Sequence, residues 1–83
     1  MAKAEKKEMI YEELRRRCPS GLVPRREINI ITGGLLIPTT MSNRDSHGTG
    51  ITGRKVIRHR IVYPIEDLIK WIDVNTTWVN FDD

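Results

Sequence analysis

The sequence predicts a mainly α-helical domain carrying one small β-hairpin, arranged as a winged helix-turn-helix with an extra N-terminal helix. Three observations lead there. Prolines 24 and 38 open two short apolar-periodic stretches that meet at Gly33-Gly34. A β-branched and strongly basic run, RKVIRHRIVY over 54–63, follows them. An amphipathic segment starting at Pro64 closes the pattern, with Ile65, Leu68, Ile69 and Ile72 at i, i+3, i+4 and i+7. One domain is expected over 1–83. It divides into an N-terminal helix at 3–17, the helix-turn-helix at 24–45, the hairpin at 54–63, a packing helix at 64–73 and a tail at 74–83.

The first helix is expected to bury Met9, Ile10 and Leu14 and to stop at Pro19-Ser20-Gly21. Its terminal run Arg15-Arg16-Arg17 has a structural reason to exist, because cations suit a helix C-terminus and glutamates precede them by about one turn. In the helix-turn-helix, Pro24 suits the first helical position, and Ile28, Ile31 and Leu35 form one stripe. Gly33 can take the left-handed conformation that ends a helix. Only four residues then separate it from Pro38, so the two helices must cross sharply and share Leu35, Leu36 and Met41. On the second helix Met41 faces inward with Ile37 a turn before it. Thr39, Thr40 and Asn43 therefore fall on the outward side.

Gly48, Gly50 and Gly53 match the letters of the dinucleotide fingerprint G-x-G-x-x-G, but a helix precedes them and a β-branched run follows, the reverse of what that motif needs. They are expected to make a loop. In the hairpin, Val56-Ile57 and Ile61 to Tyr63 are the expected strands, reversing at Arg58-His59 without the usual Asn-Gly. Trp71 is placed at the core edge. The tail holds Trp78 and Phe81, which either dock on the body or meet a protein partner or second protomer.

A chain this short buries only about 60–65% of its unfolded surface, so an elaborate catalytic cleft is not expected. No Ser/His/Asp, Cys/His or paired-carboxylate set falls on converging elements, and the chain is expected not to be an enzyme. The single cysteine, Cys18, reads as a small helix-end hydrophobe, and the two histidines give it no metal-ligand spacing. Neither a membrane-spanning run nor the apolar core of a signal peptide is present, so a cytoplasmic protein is expected.

Charge is more telling than these absences. From Arg15 to Arg60 there are ten basic residues against two acidic ones, a balance of +8, whereas from Ile61 onward five acidic residues face one lysine, a balance of −4. Such segregation suits a polyanion partner. Thr39, Thr40 and Asn43 are the expected base-reading side chains. Arg25, Arg26, Arg44, Arg54, Lys55, Arg58, His59 and Arg60 are the expected backbone contacts, so double-stranded DNA is the expected partner. The alternative is a winged-helix module that binds protein through its acidic end.

The pieces also carry a resemblance. Ile30-Ile31-Thr32-Gly33-Gly34 at the corner, Thr40-Met41-Ser42-Asn43 with Asp45 on the second helix, and Val62-Tyr63-Pro64-Ile65 with Leu68 and Trp71-Ile72 fall in one order over about 21–72. That stretch resembles the excisionase-like, MerR-related winged helix-turn-helix domains of phages and bacteria. The resemblance implies a cofactor-free DNA-binding module that lays its second helix in the major groove. It implies an accessory factor for excision or recombination, or a transcriptional regulator, of a mobile element. This chain has Arg44 where such domains often carry leucine, which is expected to send a guanidinium toward phosphate over a packed stem. No sensing domain or long dimerising helix is expected.

Overall fold

In a computed structural model, described over residues 3–77, the β-branched run does form a hairpin, and a third strand joins it. Strands β2 (Lys55–Ile57) and β3 (Arg60–Pro64) pair antiparallel through Val56↔Ile61. Strand β1 (Leu22–Pro24) pairs with the other edge of β3 through Val23↔Tyr63. The sheet order is β1-β3-β2, so β3 is central. Four α-helices complete a small mixed α/β domain: α1 (Lys3–Arg17), α2 (Ile28–Ile31), α3 (Pro38–Ser46) and α4 (Ile65–Val74). A 3-10 turn, Arg25–Glu27, links β1 to α2. This is a more mixed fold than the mainly helical one expected, and it is compatible with a helix-turn-helix bearing a wing.

The third strand corrects the reading of Pro24. Proline fixes φ near −65°, which suits a helix start and an extended residue equally. Here Pro24 is extended, at φ −62° and ψ 139°, and faces Val62 across the ladder. As the end of an edge strand it needs no N–H. The expected first helix of the 24–45 unit is consequently a 3-10 turn followed by the single α-turn of α2.

The corner after α2 is built by Thr32 as well as by the glycines. The Thr32 hydroxyl donates to the Ile28 carbonyl at 2.6 Å and accepts the Leu36 N–H at 3.1 Å, while the Gly34 N–H closes back on the Asn29 carbonyl at 2.7 Å. Gly33 takes φ +66°, as a left-handed C′ residue should. This reversal turns Leu35 outward to 73% exposure, so it is not shared core; Ile37 is exposed too. Met41 is fully buried and Leu36 packs partly against the core, as expected.

The buried face of α1 also differs from expectation. Tyr11, Leu14 and Cys18, at i, i+3 and i+7, are buried, and Met9 and Ile10 stay exposed. The reason lies on α4. Tyr11 donates its hydroxyl to Asp73 Oδ1 at 2.9 Å, Lys7 pairs with the same carboxylate at 3.0 Å, and Arg15 Nε donates to Glu66 Oε2 at 2.7 Å. Lys7, Tyr11 and Arg15 lie on one side of α1, and they meet the end and then the start of α4, so the two helices run antiparallel. Arg16 and Arg17 pair with Glu13, and Arg17 also donates to the Ile31 carbonyl. The whole run Arg15 to Arg17 is thus engaged structurally.

Helix α4 behaves as its periodicity predicts, with Ile65, Leu68 and Ile69 buried beside Val23, Ile28, Met41, Ile51 and Tyr63 in one cluster. Each such side chain contributes roughly 1.5–3 kcal/mol by burial. Among the described residues no helix is long and apolar enough to cross a membrane, and no group of three ligating side chains is placed to hold a metal. The expected alternatives for Trp78 and Phe81 lie outside the described residues.

Candidate nucleic-acid interface

Helix α3 begins after an extended Ile37, with Pro38 at its first position and no side-chain cap. Burying Met41 and Asp45, four apart, points the remaining faces outward. Thr39, Asn43 and Arg44 are exposed, and Thr40 is half-buried. Thr40, Asn43 and Arg44 share a shallow surface cleft of about 320 Å³ with His47 and Thr49. These last two were not foreseen. His47 stands one turn after Asn43, with its Nδ1 2.7 Å from the Asn43 carbonyl, and that i, i+4 spacing was the available signal. The Thr49 N–H donates to the Arg44 carbonyl at 2.9 Å, holding the loop against the helix end.

A second cleft, of about 250 Å³, joins the wing to the start of α3. It is lined by Pro24, Arg25, Arg26 and Pro38 on one side and by His59, Arg60 and Ile61 on the other. The hairpin turn that presents these wing residues is tight. Arg58 and His59 alone connect the strands, at φ 51° and 69°. Two left-handed central residues are the sign pattern of a type I′ turn, which matches strand twist but normally recruits Asn and Gly. Arg54, Lys55 and Arg58 are exposed on the ribbon outside both clefts, beside the exposed apolar pair Val56 and Ile57.

Arg25 is bonded within the fold as well as lining the second cleft. Its Nε donates to the Tyr63 hydroxyl at 3.0 Å and its Nη2 to Asp45 Oδ2, while the Tyr63 hydroxyl itself donates to Asp45 Oδ2 at 2.7 Å. The Asp45 side chain is buried and that of Arg25 mostly so. Burial opposes the guanidinium charge, but the bonds to Tyr63 and Asp45 outweigh it and hold the Arg25 pKa above its ordinary value. Burial, with the bond to Asp45, pushes the Tyr63 hydroxyl up as well, against the opposing pull of Arg25. Arg25 is therefore a tie between the 3-10 turn, α3 and β3, and it also lines the cleft between the wing and α3 with a partly exposed side chain.

Arg44 is exposed, with an aromatic neighbour. Its guanidinium carbon lies 6.0 Å from the centroid of the Trp71 ring, at the limit of cation–π range, while the Trp71 indole N–H donates to the Thr49 carbonyl at 3.0 Å. Trp71 is at the core edge, as expected, and it supports the end of α3.

The arginines, with Lys55, thus fall into two groups. Arg15, Arg16, Arg17 and Arg25 are paired with carboxylates, and Arg26 approaches Glu27 only at 3.8 Å. Among the described residues no ion pair involves Arg44, Arg54, Lys55, Arg58 or Arg60. These five cations lie on the wing and the adjoining helix.

Two glycines of the loop 46–53 have a steric reason unrelated to nucleotide phosphates, while Gly48 has open space and takes φ +73°. A Cβ at position 50 would sit inside the Asp45 carboxylate, and one at position 53 would collide with the Asp67 carboxylate. Comparison with protein-family models, with curated proteins and with solved structures found no match.

Proposed function

We propose that this chain is a sequence-selective double-stranded DNA-binding protein acting in the cytoplasm as a winged helix-turn-helix of the excisionase-like, MerR-related kind. Helix α3 enters the major groove, Asn43 and Thr39 read base edges, and the β2–β3 hairpin lies along the backbone as the wing. The observation that carries this reading is that Arg54, Lys55, Arg58 and Arg60 lie on or beside the hairpin in no described ion pair, with Arg60 and His59 sharing a cleft with Pro38 at the start of α3, while Arg15, Arg16, Arg17 and Arg25 pair with carboxylates. Phosphate contacts position such a protein, and side chains on the inserted helix specify its site. The reading requires neither catalytic residue nor cofactor. The resemblance assigns it to excision, recombination or transcriptional control of a mobile element.

The test compares Asn43→Ala with Arg58→Ala, both checked for folding, on a selected site and on random duplex at fixed salt. Losing a bidentate adenine contact costs about 1–3 kcal/mol of discrimination, whereas losing a phosphate contact weakens all sequences alike. Asn43→Ala should shrink the ratio of the two affinities, and Arg58→Ala should lower both and keep the ratio. Duplex binding that neither variant changes would remove the proposal. Capture of a protein partner with no duplex binding would favour the protein-interaction alternative.

A further inference from the structure

The outward side of α3 ends at His47. This residue follows Ser46, the last of α3, yet its backbone N–H still reaches the Asn43 carbonyl at 3.2 Å, so it completes the final turn. It is exposed. Thr40, Asn43, Arg44 and His47, at i, i+3, i+4 and i+7, line one cleft, which puts His47 on the same side as Asn43 and away from the buried Met41 and Asp45.

The two ring nitrogens of His47 are not equivalent. Nδ1 stands 2.7 Å from the Asn43 carbonyl oxygen, and since that oxygen can only accept, Nδ1 carries the proton and donates. In a neutral imidazole a proton on one nitrogen leaves the other as an acceptor. Nε2 is thus a lone pair at the surface, and among the described residues no hydrogen bond engages it. The bond to the carbonyl restricts rotation of the ring. The acceptor therefore has a set direction.

What such an acceptor can meet on duplex DNA is limited. Phosphate oxygens also only accept, so they cannot bond a neutral Nε2. The major groove offers two donors, the N4 amine of cytosine and the N6 amine of adenine. Four helical residues advance about 6 Å, close to two base-pair steps of about 3.4 Å. A helix lying along the groove thus puts His47 about two steps from the base that Asn43 meets.

We infer that His47 is a further specificity-determining residue, whose Nε2 accepts a hydrogen bond from the exocyclic amine of an adenine or cytosine in the major groove. The inference rests on the reading of α3 as the helix that enters that groove.

The experiment takes the full chain and a duplex selected from a random pool, at about pH 8, above the range in which imidazoles ordinarily titrate. Each adenine is replaced in turn by purine and each cytosine by 2-pyrimidinone, which removes one exocyclic amine at a time. Expected is one position, about two steps from the one that Asn43→Ala desensitises, where the loss weakens the native chain roughly 3- to 10-fold and leaves His47→Ala unaffected. His47→Lys, which can only donate, should move the preference at that position to guanine. Both variants should keep the native melting temperature, because His47 is exposed. Should His47→Ala fail to fold, the switch to guanine in His47→Lys decides. Amine losses that weaken the native chain and His47→Ala equally at every position would overturn the inference and leave the role of Asn43 standing. A His47→Ala variant that binds all duplexes less tightly by one factor would overturn it too, in favour of a backbone contact. A native chain that selects no duplex from the pool would overturn both the inference and the reading beneath it.

Discussion

The Tyr63 hydroxyl donates to Asp45 Oδ2 at 2.7 Å and thereby joins the central strand of the sheet to the outward-facing helix α3. Arg25 bonds both partners, so one buried cluster fixes the wing, the corner and the helix relative to one another. Removing one member of a buried pair leaves its partner's charge uncompensated, at a cost of about 3–5 kcal/mol when both are fully enclosed. Arg25 keeps a 24% exposed side chain, so we expect Asp45→Ala and Arg25→Ala to lose nearer 2–4 kcal/mol. Thermal denaturation checks this, at about 4–8 °C per kcal/mol for a domain of this size. Tyr63→Phe, which removes a neutral donor, should cost about 1–2 kcal/mol. Arg58→Ala should leave the melting temperature unchanged.

Duplex binding should weaken steeply with salt. Five cations of the wing and α3 are outside any described ion pair, and each phosphate they neutralise contributes about −0.9 to the log–log slope. A slope near −4 to −5 is expected in titrations at several salt concentrations. Arg54→Ala or Arg60→Ala should each reduce its magnitude by about one. A flat response would exclude the electrostatic footprint.

Both tyrosines should ionise late. Burial, then the hydrogen bond to Asp73, pushes the Tyr11 hydroxyl from its ordinary 10.0 up to about 12, and Tyr63 is raised by burial and by Asp45. A folded pKa above the unfolded one means that the neutral form is the stabilising one. Its contribution is complete below pH 10 and disappears as pH rises through about 12. The melting temperature should therefore be insensitive to these groups up to about pH 9 and fall beyond pH 10. Absorbance of tyrosinate should appear near pH 10 in urea and later in the native protein.

Gly50→Ala should destabilise more than its small volume suggests. The added Cβ meets the Asp45 carboxylate and lies 3.0 Å from the Asp45 backbone nitrogen. Asp45 cannot swing aside without breaking its bonds to Arg25 and Tyr63. We expect a loss of about 1–3 kcal/mol, as for overpacking in a core, measured by urea denaturation. Thr52→Ala, at an exposed position of the same loop, is the control and should change little.

Where an element's own residues repeat with a clear period, the sequence was sufficient. Helix α4 follows directly from its four aliphatics and its leading proline, and the hairpin from its β-branched content, down to the reversal at Arg58-His59. Strand β1 was illegible because three residues show no alternation, and Pro24 fits two conformations that only the partner strand distinguishes. On α1 two apolar stripes compete, and Asp73, more than sixty residues away, decides for the Tyr11 side. In the candidate interface, the outward placement of Thr39 and Asn43 followed from burying Met41. The role of Arg25 did not, since its partners Asp45 and Tyr63 are 20 and 38 positions distant and meet it only after the sheet has closed.

The loop between α3 and the wing works as a gauge block. Gly50 fits against an acid of α3 and Gly53 against an acid of α4, so the two intervening residues, Ile51 and Thr52, span a fixed interval between two helices. Ile51 plugs the core midway along it. One inserted or deleted residue would leave only one of the two glycines in its notch and would move a β-carbon into the other. The wing therefore takes its bearing from both helices at once.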